Sequence, residues 1–317
     1  MTRPLTPALL IAFALTAGLA VHAQQEGLVP TQALVNVDAK STLPAGPSAL
    51  VVAVNDRKQP LSAWEPVAPA GAQVALLIDD GLRESVGREL ENLRNFVRTL
   101  APGVEVLVGY MQYGHVVAAQ PFTTDHALAA STLHLPGGLP GMSASPYVCL
   151  SDFVRNWPSG ASSSSSSPDP STQHKARFIL MLTNGVDPYN GGTSVMNQGS
   201  PYVDNAVADA QRAGVAVYAI YFGDAGISDN SADSSGQNYL NQITQATGGV
   251  NLWQGMGNPV STAPYLRSFQ SALAETYIAT FNAPLGNNPV RDLVRVKFTA
   301  AKTKLHAPEQ VRPGNVE

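Results

Sequence analysis

The sequence predicts an α/β protein: a doubly wound, mostly parallel sheet with a small β appendage drawn from both chain ends. Three observations lead there. Between residues 74 and 273, short apolar runs alternate with segments whose apolar residues recur at steps of three and four. Before and after that region, strand-like stretches follow one another with no helical pattern between them. The 317-residue chain has a single cysteine, Cys149, so an internal disulfide is impossible and a packed core must hold the fold.

Residues 1–23 read as a secretory signal and are set aside from the fold. Arg3 precedes an apolar run at 8–21, and Val21-His22-Ala23 offers a small-residue cleavage site before Gln24. That run is shorter than the roughly 20 residues a membrane-spanning helix needs. No later segment is apolar enough to span, so the expectation is an exported chain, periplasmic or secreted, with no transmembrane span after cleavage.

Residues 24–70 form an N-terminal β segment with strands at 33–37 and 49–54. Asn55-Asp56 supplies a turn, and Pro66, Pro69 and Gly71 mark a linker. The α/β pattern occupies residues 71–273. Residues 74–78 are a continuous apolar run, as expected of a strand covered on both faces. Val86, Leu90, Leu93, Val97 and Leu100 then lie on one helical face, which Pro102-Gly103 ends. Strands at 104–113 and 116–122 turn at Gly114-His115, and Thr124 or Asp125 caps a short helix through Ala130.

A Gly/Pro-rich loop at 136–141 leads to a helix at 146–157, and the serine run at 159–173 is a low-complexity surface insertion. Residues 178–182 are another buried strand. Ser200-Pro201 opens a helix whose inner face is Val203, Ala206, Val207 and Ala210 and whose stop is Gly214. The run at 215–222 is the most apolar strand. A helix at 239–246, a strand at 250–253 and a helix at 264–273 complete the region. In the C-terminal segment, 274–317, strands at 277–282, 294–299 and 304–307 are placed to pair with the N-terminal ones.

Several function classes are excluded by what the chain lacks. Charged residues make up only 13% of it and the net charge is −4, with no basic stripe for nucleic acid. His115, His126, His134, His174 and His306 are scattered without ligand spacing, and each reads as a surface or loop residue. There is no nucleophile elbow and no phosphate-binding loop. Asp224, Asp229 and Asp233, with Asn230, Ser231 and Ser234, fail the calcium-loop spacing and read as a polar surface loop. Cys149 reads as a buried thiol, and Trp64, Trp157 and Trp253 as packing residues.

In an open α/β sheet, ligands bind at the carboxyl ends of the strands. Those ends carry Asp79-Asp80-Gly81-Leu82-Arg83, Thr183-Asn184-Gly185-Val186-Asp187 and Gly223-Asp224, with Ser143, Ser145 and Tyr147 on an intervening loop. In these residues and in its strand order, the stretch from Gln73 to Leu273 resembles the von Willebrand factor A-like family, in its exported bacterial form with β segments at both ends.

That resemblance implies a doubly wound fold, and a metal-ion-dependent adhesion site built on an Asp-x-Ser-x-Ser loop, a threonine and a further aspartate. Asp79 keeps the first position, but Gly81 and Arg83 stand at the two serines and Asn184 at the later aspartate, while Ser145 takes the threonine's place. Glycine offers no side-chain oxygen and arginine brings a permanent positive charge, so the adhesion site reads as degenerate. Arg83 either pairs with Asp79 or Asp80 in place of a cation, or is solvated on the first helical turn. A divalent cation held by Asp79, Asp80, Ser145 and Asp187 in altered geometry is a third possibility.

The resemblance implies a non-enzymatic binding protein without cofactor, whose rim, Asp79, Asp80, Gly81, Arg83, Ser143, Ser145, Asn184, Asp187 and Asp224, contacts a protein or cell-envelope partner. Two alternatives stay open: an envelope subunit that associates through its β appendage, and a hydrolase using Asp79 or Asp80.

Overall fold

Four strands open the chain: β1 (Leu28–Val37), β2 (Leu50–Val54), β3 (Arg57–Gln59) and β4 (Leu61–Pro66). Strand β5 (Ala72–Asp79) leads to helix α1 (Leu90–Arg98), and β6 (Glu105–Gln112) turns directly into β7 (His115–Thr123). Helices α2 (His126–Ser131) and α3 (Pro146–Arg155) precede β8 (Ala176–Thr183), α4 (Pro201–Ala213) and β9 (Val215–Tyr221). Then come α5 (Asn230–Ala246), β10 (Asn251–Trp253) and α6 (Ala263–Ala274). Four strands close the chain: β11 (Thr276–Pro284), β12 (Val294–Ala300), β13 (Leu305–His306) and β14 (Gln310–Val311). The structure, a computed structural model, describes residues 27–315 except 39, 43, 45, 83, 139–144, 159–174, 191–198, 224–229, 254, 256, 289 and 290. The segment read as a signal, the serine run and the rim residues Arg83, Ser143 and Asp224 lie outside the described residues.

The central sheet runs β10-β9-β8-β5-β6-β7, parallel throughout except for the antiparallel edge strand β7. This is the α/β class the apolar runs predict. Every residue of β5, β8 and β9 is buried apart from Arg177, because helices cover both faces. On one face Val74, Leu76 and Ile78 of β5 meet Leu93, Phe96 and Val97 of α1, Ala129 of α2, and Leu266 and Phe269 of α6. On the other, Ala75 and Leu77 meet α3, α4 and α5 through residues such as Leu150, Phe153, Val203, Leu240 and Ile243. Chain order reverses at one place: β5 continues to β6 on one side, and the chain later returns to lay β8 on the other. The carboxyl ends of β5 and β8 therefore flank the sheet's topological switch point.

The chain ends build a β-sandwich. One sheet runs β13-β1-β11-β4 and the other β14-β12-β2-β3, each drawing strands from both ends. Strand β1 pairs with β11 from Leu28↔Pro284 to Asn36↔Thr276, and β2 pairs with β12. Val35, Ala279 and Phe281 face Val52, Val296 and Phe298 across the inner space, while Arg295, Lys297 and Thr299 alternate outward. Leu34 and Ile278 point the other way and join the core beneath α6, so this sheet is covered on both sides.

Four expectations are corrected. The β6–β7 turn is Tyr113-Gly114, one residue earlier than read, because both residues take left-handed backbone at φ 47° and 86°. Residues 57–59 and 61–66, given no element in the sequence between the Asn55-Asp56 turn and the linker, form β3 and β4; β4 is an edge strand, which tolerates the terminal Pro66. Asn230, Ser231, Asp233 and Ser234, read as a surface loop, begin α5, whose second half buries Tyr239, Leu240 and Ile243 and carries the polar first turns with it. One histidine is more engaged than spacing suggests: His306, in β13, sits 3.8 Å from Asp38 and is largely covered, whereas His115, 3.0 Å from Asp152 Oδ2, is exposed as expected.

Candidate functional site

The rim is built by three turns at the carboxyl edge. After β5 the chain turns sharply: the Gly81 N–H donates to Asp79 Oδ1 at 2.9 Å and the Leu82 N–H to the Asp79 carbonyl at 3.2 Å. That turn sends the two adjacent carboxylates apart. Asp79 Oδ2 faces β8 and accepts the Thr183 hydroxyl at 2.6 Å. Asp80 faces the loop before α3, where Oδ1 accepts the Gly137 N–H at 2.8 Å and its carbonyl accepts Gly138 N–H at 3.1 Å. A Cβ on Gly138 would stand 2.6 Å from Asp80 Oδ2, so glycine is what lets the loop close there.

After β8 a second chain of local bonds fixes the backbone. Thr183 Oγ1 accepts the Gly185 N–H at 3.1 Å, Asn184 Oδ1 accepts Val186 N–H at 3.0 Å, and Asp187 Oδ1 accepts Tyr189 N–H at 3.2 Å. Gly185 is left-handed at φ 66° and its missing Cβ would meet Gly236 O at 2.5 Å. Asp187 Oδ2 accepts the Ser200 hydroxyl at 2.5 Å, and the same Ser200 oxygen caps α4 by accepting from the Tyr202 and Val203 amides. Thus Asp187 ties the loop to the start of α4.

The third element is the start of α3. Tyr147 donates its phenol to the Gly185 carbonyl at 2.9 Å. Burial, followed by the nearby charges of Asp187 and Asp79, holds that phenol well above its ordinary range and keeps it a donor. Ser145 stands at the N-cap position of α3, fully buried, yet its hydroxyl makes no capping bond and has no partner among the described residues. Of the predicted rim, Asp79, Asp80, Gly81, Ser145, Asn184 and Asp187 thus gather around one switch point, and all six are buried.

An octahedral magnesium cage asks for six oxygens. Both Asp79 oxygens are engaged by Gly81 and Thr183, Asn184 Oδ1 bonds its own loop, and Gly81 has no side-chain oxygen to offer. Among the described residues no three His, Cys, Asp or Glu side chains gather to hold a metal. The described side chains therefore do not fit that cage.

Sequence reading missed the residues that face outward here. Tyr113 on the β6–β7 turn is 81% exposed, and Tyr189 and Tyr202 form an edge-on ring pair at 5.8 Å beside the β8 loop. Leu135, on the Asp80-binding loop, and Val260, ahead of α6, are exposed on the same edge. The available signal was position: each falls in a segment directly after a strand end or beside a helix cap. A buried anchor was also missed. Glu89 accepts the Thr262 amide at 2.7 Å and its hydroxyl at 2.6 Å, tying the start of α6 to that of α1.

No protein-family model matches the chain, and no curated protein matches it. Among solved structures it is similar to proximal thread matrix protein 1 from the mussel byssus, with a TM-score of 0.41 and 16% identity over 67% of this chain and 48% of that one. The chain thus spans about half the length of the mussel protein. It is also similar to a von Willebrand factor type A protein from Catenulispora acidiphila, with a TM-score of 0.39 and 14% identity over 91% of this chain and 75% of that one. The ArnB paralog VWA2 from Sulfolobus acidocaldarius gives a TM-score of 0.37 and 9% identity over 89% and 76% of the two chains. The structural neighbours of this α/β chain thus include von Willebrand factor A domains.

Proposed function

We propose that this chain is an exported, non-enzymatic binding protein whose carboxyl-edge rim recognises a protein or cell-envelope partner without needing a metal ion. One observation carries the reading. Among the described residues nine large hydrophobic side chains are exposed, and five of them, Tyr113, Leu135, Tyr189, Tyr202 and Val260, stand on this one edge. Single exposed apolar residues need no explanation, but a concentration on one edge, rich in tyrosine, is the composition of a recognition surface. Beneath them, Asp79 and Asp187 bond their own loops and Asp80 bonds the loop before α3, and so they present a fixed backbone. Degeneracy of the adhesion-site motif at Gly81, Arg83 and Asn184 supports metal-free binding.

The alternative of association through the sandwich draws less support. Three of its four edge strands, β3, β13 and β14, are only two or three residues long and offer little template for strand addition.

The experiment is site-directed photo-crosslinking in intact producing cells. A benzoylphenylalanine at position 189 should give a discrete adduct that the same group at position 128, on α2 at the opposite edge, does not. Equal labelling from both positions, or none from 189, would count against the rim. Export has its own check: the N-terminal sequence of the mature protein should begin at Gln24.

A further inference from the structure

Two hairpins in this molecule use two-residue loops with both residues left-handed. In the β2–β3 hairpin the pair is Asn55 and Asp56, at φ 46° and 64°. Those residues suit such a turn, because short polar side chains bond locally and tolerate positive φ. Asn55 does more, since its Oδ1 accepts the Arg295 N–H at 3.1 Å. In the β6–β7 hairpin the first position is Tyr113 at φ 47°, followed by Gly114 at φ 86°. Glycine there is explained by its φ. The tyrosine is not so explained.

A bulky residue at positive φ is strained, and a fold usually retains one when packing compensates. Here packing does not, because 81% of Tyr113 is exposed. His115 and Val117, which share one face of β7 just after the turn, are also exposed. Asp152 Oδ2 lies 3.0 Å from His115 Nδ1, and no lysine or arginine stands between Arg98 and Arg155 in the sequence. An exposed aromatic in a stretch of chain without lysine or arginine fits a folded protein with an apolar socket. It does not fit an anionic membrane surface, which recruits basic residues.

We infer that Tyr113 is the anchor of the rim: a strained, outward-pointing ring that fills an apolar socket on a partner protein, with Val117 and His115 lying along the socket's lip. This rests on the rim reading proposed above and names the residue that dominates it.

Tyr113→Asn supplies the residue the turn prefers. It should raise the unfolding midpoint of the isolated protein by about 2–4 °C while stripping the rim of its anchor. The paired measurement puts the photo-reactive group at position 113, or at 189 with and without Tyr113→Asn, in producing cells. Expected is one and the same protein adduct from 113 and 189, with the 189 adduct falling at least tenfold in the Tyr113→Asn background. An undiminished 189 adduct would overturn the anchor and leave the rim reading standing. Phospholipid adducts from 113 would overturn it in favour of a membrane. Absence of any adduct from 113 and 189 would overturn both readings, and a lower midpoint for Tyr113→Asn would show the ring to be structural.

Discussion

The hydroxyl of Thr183 donates to Asp79 Oδ2 at 2.6 Å, joining the ends of β5 and β8 across the place where the sheet reverses its chain order. The parallel register makes this bond possible: Ile78 is paired with Leu182, so the next residue of each strand meets at the rim. Both side chains are buried, and hydrogen bonds to a buried carboxylate are among the stronger ones.

Thr183→Val keeps the shape and removes the donor. It should cost about 2–3 kcal/mol, since a buried acceptor loses a charge-assisted bond, while Thr183→Ser should recover most of that. Urea unfolding of the three proteins decides it; a valine variant within about 0.5 kcal/mol of wild type would show that the bond contributes little.

Ser145 calls for the opposite expectation. Its hydroxyl is buried with neither a capping bond nor another partner among the described residues, so Ser145→Ala removes a polar group those residues leave unsatisfied. The variant should be as stable as wild type or up to about 1 kcal/mol more stable. A loss of about 2 kcal/mol in the same unfolding assay would mean that the hydroxyl serves a group in the folded protein.

Divalent ions should leave the thermal midpoint unchanged. A ligand that binds only the native state raises stability by RT ln(1 + [L]/Kd). With Asp79 and Asn184 bonded within the protein, Mg²⁺, Mn²⁺ and Ca²⁺ in turn should shift the midpoint no more than EDTA does. A rise reversed by EDTA would overturn the metal-free reading of the rim.

His306 gives the fold a pH dependence of known sign. Burial, then the charge of Lys304, lowers its pKa from the ordinary 6.5, and Asp38 only partly offsets them. A lowered folded-state pKa means the unfolded chain binds the proton more readily. The contribution is therefore complete above pH 6.5 and is lost as pH falls from there through the lower folded-state value. Asp38, held below 3.8 chiefly by the Lys40 amide, keeps its own contribution until far more acidic conditions. Wild type should thus lose more stability between pH 7.5 and 5.5 than His306→Gln does. Parallel scans of the two proteins at both pH values test this, and identical losses would sink it.

The sheet was legible because its signal is local. The apolar runs of β5, β8 and β9, and the Ser200-Pro201 opening and Gly214 stop of α4, are all written in adjacent residues. The two-residue β14 and the edge strand β4 were less legible, since their place is set by a partner strand from elsewhere in the chain. Strand ends and loop chemistry pointed to Asp79, Asp80 and Asp187. What could not be read was the wiring: Thr183 lies 104 residues from Asp79, and Thr262 lies 173 from Glu89. Nor does a hydrophobic pattern announce Tyr113, whose meaning depends on a backbone angle and on what fails to cover the ring.

The sandwich of both chain ends has a kinetic consequence. Gln32 bonds to Thr280, 248 residues away, so β1 has no neighbour on that side until β11 has been made. Contacts this distant close late and fold slowly. A chain cut after Glu275 would carry every strand of the central sheet but leave β1 as an open edge, with Val35 and Val52 bared for want of β11 and β12. Strands β11 to β14 therefore act as a latch, and a product truncated before them exposes the apolar surface by which quality-control proteases and chaperones recognise unfinished chains.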